Sequence, residues 1–322
     1  MGPERRLDGD VLRANVAAFA ALGAPVAAVV KHDGYGWGAR ALARELDSVV
    51  DSYVVNDADE LAALRPATSK PVRLLCDAEP GRLRRVLDLG GIPNVSTREA
   101  LAAAVAEAER RGGILVRIGI HDGAGWSTIR PEDAAAFAAA VAGTRLAVEL
   151  WTHVSSAARS QAQLDGFIAA RAAFRDAGAH VVSTDVASTA SARRGLVFDR
   201  LRVGIGLFGS RLGSSVDNRC ALRVSAPVVR RFAPGEIRWA GYGDALVPSD
   251  RAVVVLRCGY GDGFPQGLAG TADILSVGMQ YTTRMTDGGD PSVLIGEADG
   301  VDEIAGRAGI SAHALVVGLA SR

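Results

Sequence analysis

The chain carries two side-chain primary amines, Lys31 and Lys70; the other basic residues among its 36 are all arginine. A guanidinium stays charged and cannot form an imine, so any Schiff-base chemistry has those two candidates. Lys70 lies in Thr68-Ser69-Lys70-Pro71, which is turn composition on a surface. Lys31 instead follows the apolar run Ala27-Ala28-Val29-Val30 and precedes the glycine-rich His32-Asp33-Gly34-Tyr35-Gly36-Trp37-Gly38. Other groups able to do chemistry stand at the ends of similar runs: Arg117, His153, Asp185 with Ser188 and Thr189, and Arg202 ahead of Val203-Gly204-Ile205. The Thr189 hydroxyl and the N–H groups of Gly204 and Ile205 form a donor set suited to a phosphate. His121, His180 and His313 show no partner in the sequence and read as structural, and Asp122 and Asp262 read as exposed loop acids.

Positioning these groups takes a particular succession of elements. Short β-branched runs alternate with alanine-rich helical stretches such as Thr97–Arg111 and Gln161–Ala177, the pattern of parallel βα units. The strand candidates are Ala27–Lys31, Ser52–Asn56, Arg73–Cys76, Asn94–Ser96, Ile114–Gly119, Ala147–His153, His180–Asp185 and Arg202–Leu207. Eight such strands close a (β/α)8 barrel, and an open doubly wound sheet is the less favoured arrangement. After residue 220 the long helices stop. Ala221–Arg230, Ile237–Tyr242, Arg251–Cys258, Asp273–Val277 and Ser292–Gly296 read as strands, a short helix is expected near Asp302–Ala308, and Ala314–Leu319 reads as a final strand. The fold class is therefore α/β, with a barrel over 9–220 and a smaller β-rich domain over 221–322, residues 1–8 being a candidate addition to the second. In such a barrel reactive groups gather at the C-terminal ends of the strands, and the strand 7–8 region often binds phosphate. A lysine facing a phosphate cradle across that mouth points to pyridoxal 5'-phosphate, held by its aldehyde at one end and its phosphate at the other.

Composition narrows the field. With 36 basic and 36 acidic residues the formal charge is zero, so no global field draws nucleic acid or an anionic membrane. The most apolar stretch, Val16–Val30, is interrupted by Gly23 and Pro25 and is too short to span a membrane. Cys76, Cys220 and Cys258 are odd in number and scattered, which argues against a disulfide framework or a metal site and for a reducing, cytoplasmic setting.

Four segments, in order, resemble the alanine racemase family of fold-type III pyridoxal-phosphate enzymes. Val30-Lys31-His32-Asp33-Gly34-Tyr35-Gly36-Trp37-Gly38 is similar to its cofactor-lysine motif, and Thr152-His153 to its Thr-His after strand 6. Leu201-Arg202-Val203-Gly204-Ile205-Gly206-Leu207-Phe208-Gly209 and Cys258-Gly259-Tyr260-Gly261-Asp262-Gly263-Phe264-Pro265 are similar to two more. The resemblance implies that Lys31 and Tyr260 are two proton-transfer bases on opposite faces of an amino-acid substrate, Tyr260 reaching the barrel of a partner in a homodimer with shared active sites. It implies phosphate binding by Tyr35, Ser188, Thr189, Gly204 and Ile205, Arg202 at the pyridine nitrogen, and His153 linking Arg202 to the tyrosine.

The departures bear on the substrate. Arg117 stands where the family has a lysine that is often carbamylated, and the family's next arginine, a substrate-carboxylate contact, falls near Ala124 or Trp126. The Met-Asp-Gln loop of the family is shortened or lost around Arg284-Met285-Thr286-Asp287, and the chain stops at Arg322, before the family's phosphate-holding terminal tyrosine. Carboxylate recognition is thus expected to be rebuilt, with His32, Trp37, Arg117, Trp126 and Arg284 as candidate substrate-lining residues and an amino acid other than plain alanine as substrate. Two alternatives stand beside this: a fold-type III decarboxylase, opposed by the lack of a Cys-Glu-Ser-Asp-like segment, and a catalytically lapsed cofactor-binding homologue.

Overall fold

The structure, a computed structural model, describes residues 2–77, 80–121, 123, 127–154, 160–192, 198–212, 216–241, 245–286, 289–296 and 299–320. The first strand, β1 (Glu4–Leu7), leads into a helix, Gly9–Ala20, whose N-terminus is capped by the Asp8 carboxylate accepting from Val11 N–H. Eight strands then alternate with helices: β2 (Val26–Val29), β3 (Ser52–Val55), β4 (Val72–Asp77), β5 (Gly91–Asn94), β6 (Ile114–Gly119), β7 (Leu146–Trp151), β8 (His180–Ala187) and β9 (Arg200–Val203). Each pairs in parallel with the next, and β9 closes on β2. Both faces of such strands are covered, so β2 and β3 are buried at every residue, which is why β2 reads as an unbroken apolar run and β3 as one after Ser52.

Closure has a direct consequence for the site. Because β9 is the neighbour of β2, the Gly204–Ile205 segment after β9 lies beside the segment that carries Lys31, and not across the mouth from it. The expected eighth strand is also shorter than Arg202–Leu207. It ends at Val203, and Ile205–Phe208 turn instead, because Gly204 takes φ −112°, ψ −88°, outside strand geometry.

Among the described residues the β-rich region has three sheets. Its strands are β10 (Leu222–Ser225), β11 (Val228–Phe232), β12 (Trp239–Ala240), β13 (Ala245–Leu246), β14 (Ala252–Leu256), β15 (Ile274–Val277), β16 (Thr282–Thr286) and β17 (Val293–Ile295). β1 pairs with β10 and β10 with β17; β11, β14, β16 and β15 form the second sheet, and β12 and β13 a hairpin. The run expected as one strand, Ala221–Arg230, divides between two sheets around Pro227, which has no N–H to give a ladder.

Ala314–Leu319, expected as a strand, belongs to a helix, Ala312–Leu319. Ser311 caps it by accepting from Ala314 N–H at 3.1 Å, and the buried positions are Ala312, Leu315, Val316 and Leu319, a period near 3.6 that the β-branched pair Val316-Val317 masks. Among the described residues no helix is long and apolar enough to cross a membrane.

Candidate active site

Lys31 opens a left-handed turn. His32, Asp33 and Gly34 have φ/ψ of 52/52°, 48/51° and 64/43°, Tyr35 has φ 60°, and Gly36 lies at 85/0°. A non-glycine residue in this region costs roughly 1–2 kcal/mol, so three of them need compensation. The turn supplies it with Gly34 N–H to Val30 O, Gly36 N–H to His32 O and Gly38 N–H to Asp33 O, all at 2.8 Å. Glu60 ties the turn to the neighbouring strand end, accepting from His32 N–H at 2.8 Å and Asn56 N–H at 2.7 Å. Asp33 Oδ1 accepts from Ala39 N–H at 2.8 Å, which starts the helix Ala39–Leu46. The turn is therefore built so that Lys31 sits at the strand end with its neighbours locked.

The turn delivers Tyr35 to the end of β9. The Tyr35 ring packs edge-on against Phe208 at 5.4 Å, and burial pushes its phenol pKa up. A Cβ on Gly204 would collide with the Tyr35 hydroxyl, so glycine is required by close approach. Thr189 Oγ1 accepts from Gly206 N–H at 3.1 Å, which leaves its own O–H free to donate. Two buried amides hold this turn. Asn218 Nδ2 donates to Gly206 O at 3.0 Å and Ser210 O at 2.9 Å, and Asn15 Nδ2 donates to Leu207 O at 2.9 Å. Ser188 lies between β8 and the short helix Thr189–Ala192, next to Thr189 in the chain. Neither asparagine carries a signal in the sequence, since an isolated amide has no periodicity to betray it.

Below the mouth the barrel is filled by charge. Arg73 makes a bidentate pair with Glu149, both bonds at 2.7 Å, and Arg200 pairs with Asp51 at 2.9 Å. Asp185, fully buried, bridges Arg202 Nε at 2.5 Å and Arg117 Nη2 at 2.9 Å. Both guanidiniums lie over the Trp151 ring, at 4.8 Å for Arg202 and 5.1 Å for Arg117. Burial pushes Arg117 down to about 10, against the pull of Asp185, so it stays charged at neutral pH. Arg202 also donates from Nη2 to Thr152 O, and among the described residues its Nη1 has no hydrogen-bond partner.

Several expected lining residues are engaged elsewhere. Arg117 has no exposed surface and belongs to this buried network, because Asp185, Glu149 and Leu74 O hold its guanidinium. Arg284 is held in the β-rich region by Asp273 and by donating to Val293 O at 2.6 Å. Trp37 donates its indole N–H to Val316 O at 3.0 Å and packs on the core, acting as a strut between the turn and the helix Ala312–Leu319. The His32 side chain is exposed. Trp126, with Asp122 and Ala124, lies outside the described residues.

Histidines cluster here more than the sequence suggested. Burial pushes His153 down to about 3, reinforced by the charges of Arg202, His121, Lys31 and His313. His121 Nδ1 accepts from Gly123 N–H at 2.8 Å, and Gln163 lies 3.2 Å from its Nε2. His313 is held below its ordinary value by burial and then by Lys31, with Asp302 opposing. No sequence signal joins residues 31, 121, 153 and 313: barrel closure brings the first three together, and packing of the helix Ala312–Leu319 adds His313.

Tyr260 stands in the β-rich region, 41% exposed, at the head of a single turn Tyr260–Asp262. Its N–H donates to Gly278 O and that of Gly261 to Met279 O, both at 2.9 Å, so the tip of the β15–β16 hairpin lies against it. The loop adjoining Tyr260 is Gly278–Tyr281, upstream of Arg284. A hollow of about 1050 Å³, lined by Tyr260, Leu275, Val277, Met279 and Tyr281, opens on this face. Asp262 accepts from Gly259 N–H and from Arg257 and so fixes the turn, which gives that loop acid a structural part.

A closed parallel barrel with a lysine and a side-chain-free anion cradle at adjacent strand ends, followed by a β-rich region presenting a tyrosine, has the build of a fold-type III pyridoxal-phosphate enzyme. Residues 7–212 match the family model "Alanine racemase, N-terminal domain". The chain is 30% identical to an alanine racemase of Thioalkalivibrio sulfidiphilus, covering 98% of this chain and 96% of that one, and 29% identical to one of Thermobifida fusca, covering 88% and 81%. The chain belongs to the alanine racemase family, whose enzymes are pyridoxal-phosphate-dependent. The alanine racemase from D-cycloserine-producing Streptomyces lavendulae shares the fold with TM-score 0.81 at 22% identity over 99% of this chain and 95% of that one. That from Bartonella henselae, with covalently bound pyridoxal phosphate, gives 0.77 at 16% identity over 99% and 97%.

Proposed function

We propose that this chain racemises an amino acid other than alanine, with Lys31 and Tyr260 as the two proton-transfer groups and Tyr260 serving the barrel of a second copy. The residues present fit pyridoxal phosphate. The observation that carries this is the Tyr35 hydroxyl, on a residue only 6% exposed, which has no partner among the described residues and faces a glycine that a side chain would block. A donor left unpaired at the end of a largely buried side chain is available to a ligand. Tyr35, Ser188, Thr189 and the N–H groups of Gly204 and Ile205 would hold the phosphate, Lys31 the aldehyde, and Arg202 Nη1 the ring nitrogen. When bound, the cofactor supplies a conjugated ring that takes up the electron pair left as the substrate's Cα–H bond breaks.

The chain's own groups then divide the work. Lys31 Nζ moves a proton on one face of Cα and Tyr260 Oη on the other, so removal from one side and return from the other inverts the centre. Arg202 keeps its proton, with the Asp185 carboxylate at Nε stabilising its charge. A guanidinium that keeps its proton would give none to a ring nitrogen held there, which would favour brief proton removal over side reactions. His153, neutral at working pH, can link Arg202 to the phenol by hydrogen bonds without adding charge.

The substrate reading rests on commitments elsewhere. Arg117 and Arg284, the described arginines expected to replace the family's carboxylate contacts, are both paired with carboxylates of the chain itself. Each charge-assisted bond is worth roughly 1.5–3 kcal/mol, so losing one or two weakens alanine binding by about tenfold to about ten-thousandfold. A larger side chain or altered carboxylate has to supply the anchoring instead.

Borohydride reduction of the holoenzyme followed by peptide mapping tests the cofactor assignment. Label is expected on Lys31. Lys70 donates to Val50 O just ahead of β3, at the opposite end of the barrel. Label on Lys70, or none anywhere, would overturn the reading.

A further inference from the structure

The barrel holds more charge than its packing needs. Among the described residues the guanidiniums of Arg73, Arg117, Arg200 and Arg202 share the carboxylates of Asp51, Glu149 and Asp185, which leaves one positive charge in excess. Glu149 accepts from Arg73 Nε and Nη2, both at 2.7 Å, and stands 3.5 Å from Arg117 Nε and from Arg200 Nη1. The close carboxylate of Arg117 is therefore Asp185, and Arg202 takes the same one. The sharing is even: Asp185 Oδ2 meets Arg117 Nη2 at 2.9 Å and Oδ1 meets Arg202 Nε at 2.5 Å. Four successive strands, β6 to β9, supply Arg117, Trp151, Asp185 and Arg202 in turn. Trp151, over which both guanidiniums lie, is fixed by donating its indole N–H to Asn94 Oδ1 at 2.8 Å, and a Cβ on Gly119 would come within 2.6 Å of its ring. A guanidinium with no exposed surface and only part of a carboxylate is costly to bury, and an apolar side chain would fill the same space at less cost.

We infer that Arg117 is a positioning residue for the reaction: by drawing on the Asp185 carboxylate it keeps Asp185 from neutralising Arg202, and so sets how strongly Arg202 donates to the cofactor's ring nitrogen. The inference rests on Arg202 meeting that nitrogen when pyridoxal phosphate is bound. A carboxylate closed on one guanidinium makes a nearly neutral pair, whereas one divided between two leaves each of them a stronger donor. Water is excluded here, so that division is felt more than it would be at a surface. Arg117 thereby acts on the ring without touching it.

The full-length chain loaded with pyridoxal phosphate carrying nitrogen-15 in its ring reads this by NMR, because the chemical shift of that nitrogen moves with the strength of the hydrogen bond it accepts. In Arg117→Met the resonance is expected to move toward that of an unbonded pyridine nitrogen. Arg117→Lys, which keeps the charge but loses the fork between Asp185 and Leu74 O, should lie between that variant and the unmodified protein, and it stands in if Arg117→Met does not fold. Asp185→Asn should move the resonance the other way. Adding Arg117→Met to Asp185→Asn should then change little, because the carboxylate through which Arg117 acts is gone. Equal shifts from Arg117→Met with and without Asp185→Asn, or no shift in either Arg117 variant, would overturn the inference and leave the cofactor reading intact. A resonance already at the unbonded position in the unmodified protein would overturn both the inference and the place given to Arg202.

Discussion

At the scale of single residues, the fate of each charge follows from what surrounds it. His153 is pushed down to about 3, chiefly by burial and then by Arg202, while an unfolded histidine titrates near ~6.5. Above about pH 6.5 the ring is neutral in both states and contributes no pH dependence. As pH falls from there toward 3, the unfolded chain binds a proton that the folded chain refuses, so stability drops. Discounted for partial exposure, the loss between pH 7 and pH 5 is roughly 1–2 kcal/mol, and His153→Asn should lack it. Urea unfolding of both proteins at the two pH values checks this; identical pH slopes would mean His153 is not buried neutral. Arg117 shows the opposite outcome of burial, since Asp185 keeps it charged where a lone guanidinium would be costly.

Elements were legible in the sequence where one period dominated. Val26–Val29 and Tyr53–Val55 are continuous apolar runs because parallel strands bury both faces, and seven of the eight barrel strands fall within a few residues of the expected spans. Legibility failed where a short segment obeyed a local rule against its neighbours. Ile205–Phe208 is apolar enough for a strand, yet Gly204 turns it into the cradle. Ala312–Leu319 is β-branched enough for a strand, yet Ser311 starts a helix. The left-handed turn at His32–Tyr35 had no chance of being read, because three of its residues occupy a region that their types avoid. Tertiary bonds to Glu60 and Val30 outweigh that preference. At the site the positions of Lys31, Thr189, Arg202 and Gly204 followed from strand order, whereas His313, Asn15 and Asn218 enter only through packing between distant elements.

Over the whole molecule, the helix Ala312–Leu319 touches both halves of the proposed chemistry. Trp37, from the Lys31 turn, bonds to Val316 O, and Gly263, from the Tyr260 turn, needs to be glycine because Gly318 O lies where its Cβ would be. The exposed Tyr260 and the apolar hollow beside it present a surface suited to the barrel mouth of a second copy. If two chains share sites in this way, inactive Lys31→Ala and Tyr260→Phe proteins should complement on mixing, because each hybrid pair contains one site with both groups. Statistical exchange of subunits would restore about a quarter of the unmodified activity. No recovery, or a monomer by light scattering, would place Tyr260 in its own chain's chemistry or outside it.

The claim that joins these scales is two-sided proton transfer at Cα of an amino acid other than alanine. Incubating the holoenzyme with a panel of L-amino acids in heavy water, and following both deuterium at Cα and the configuration of the product, reads that claim directly. Deuterium entry accompanied by inversion is expected, faster for an amino acid with a larger side chain than for alanine. Carbon dioxide release, or no deuterium entry with any amino acid, would contradict racemisation, and fastest inversion of alanine itself would contradict the substrate assignment.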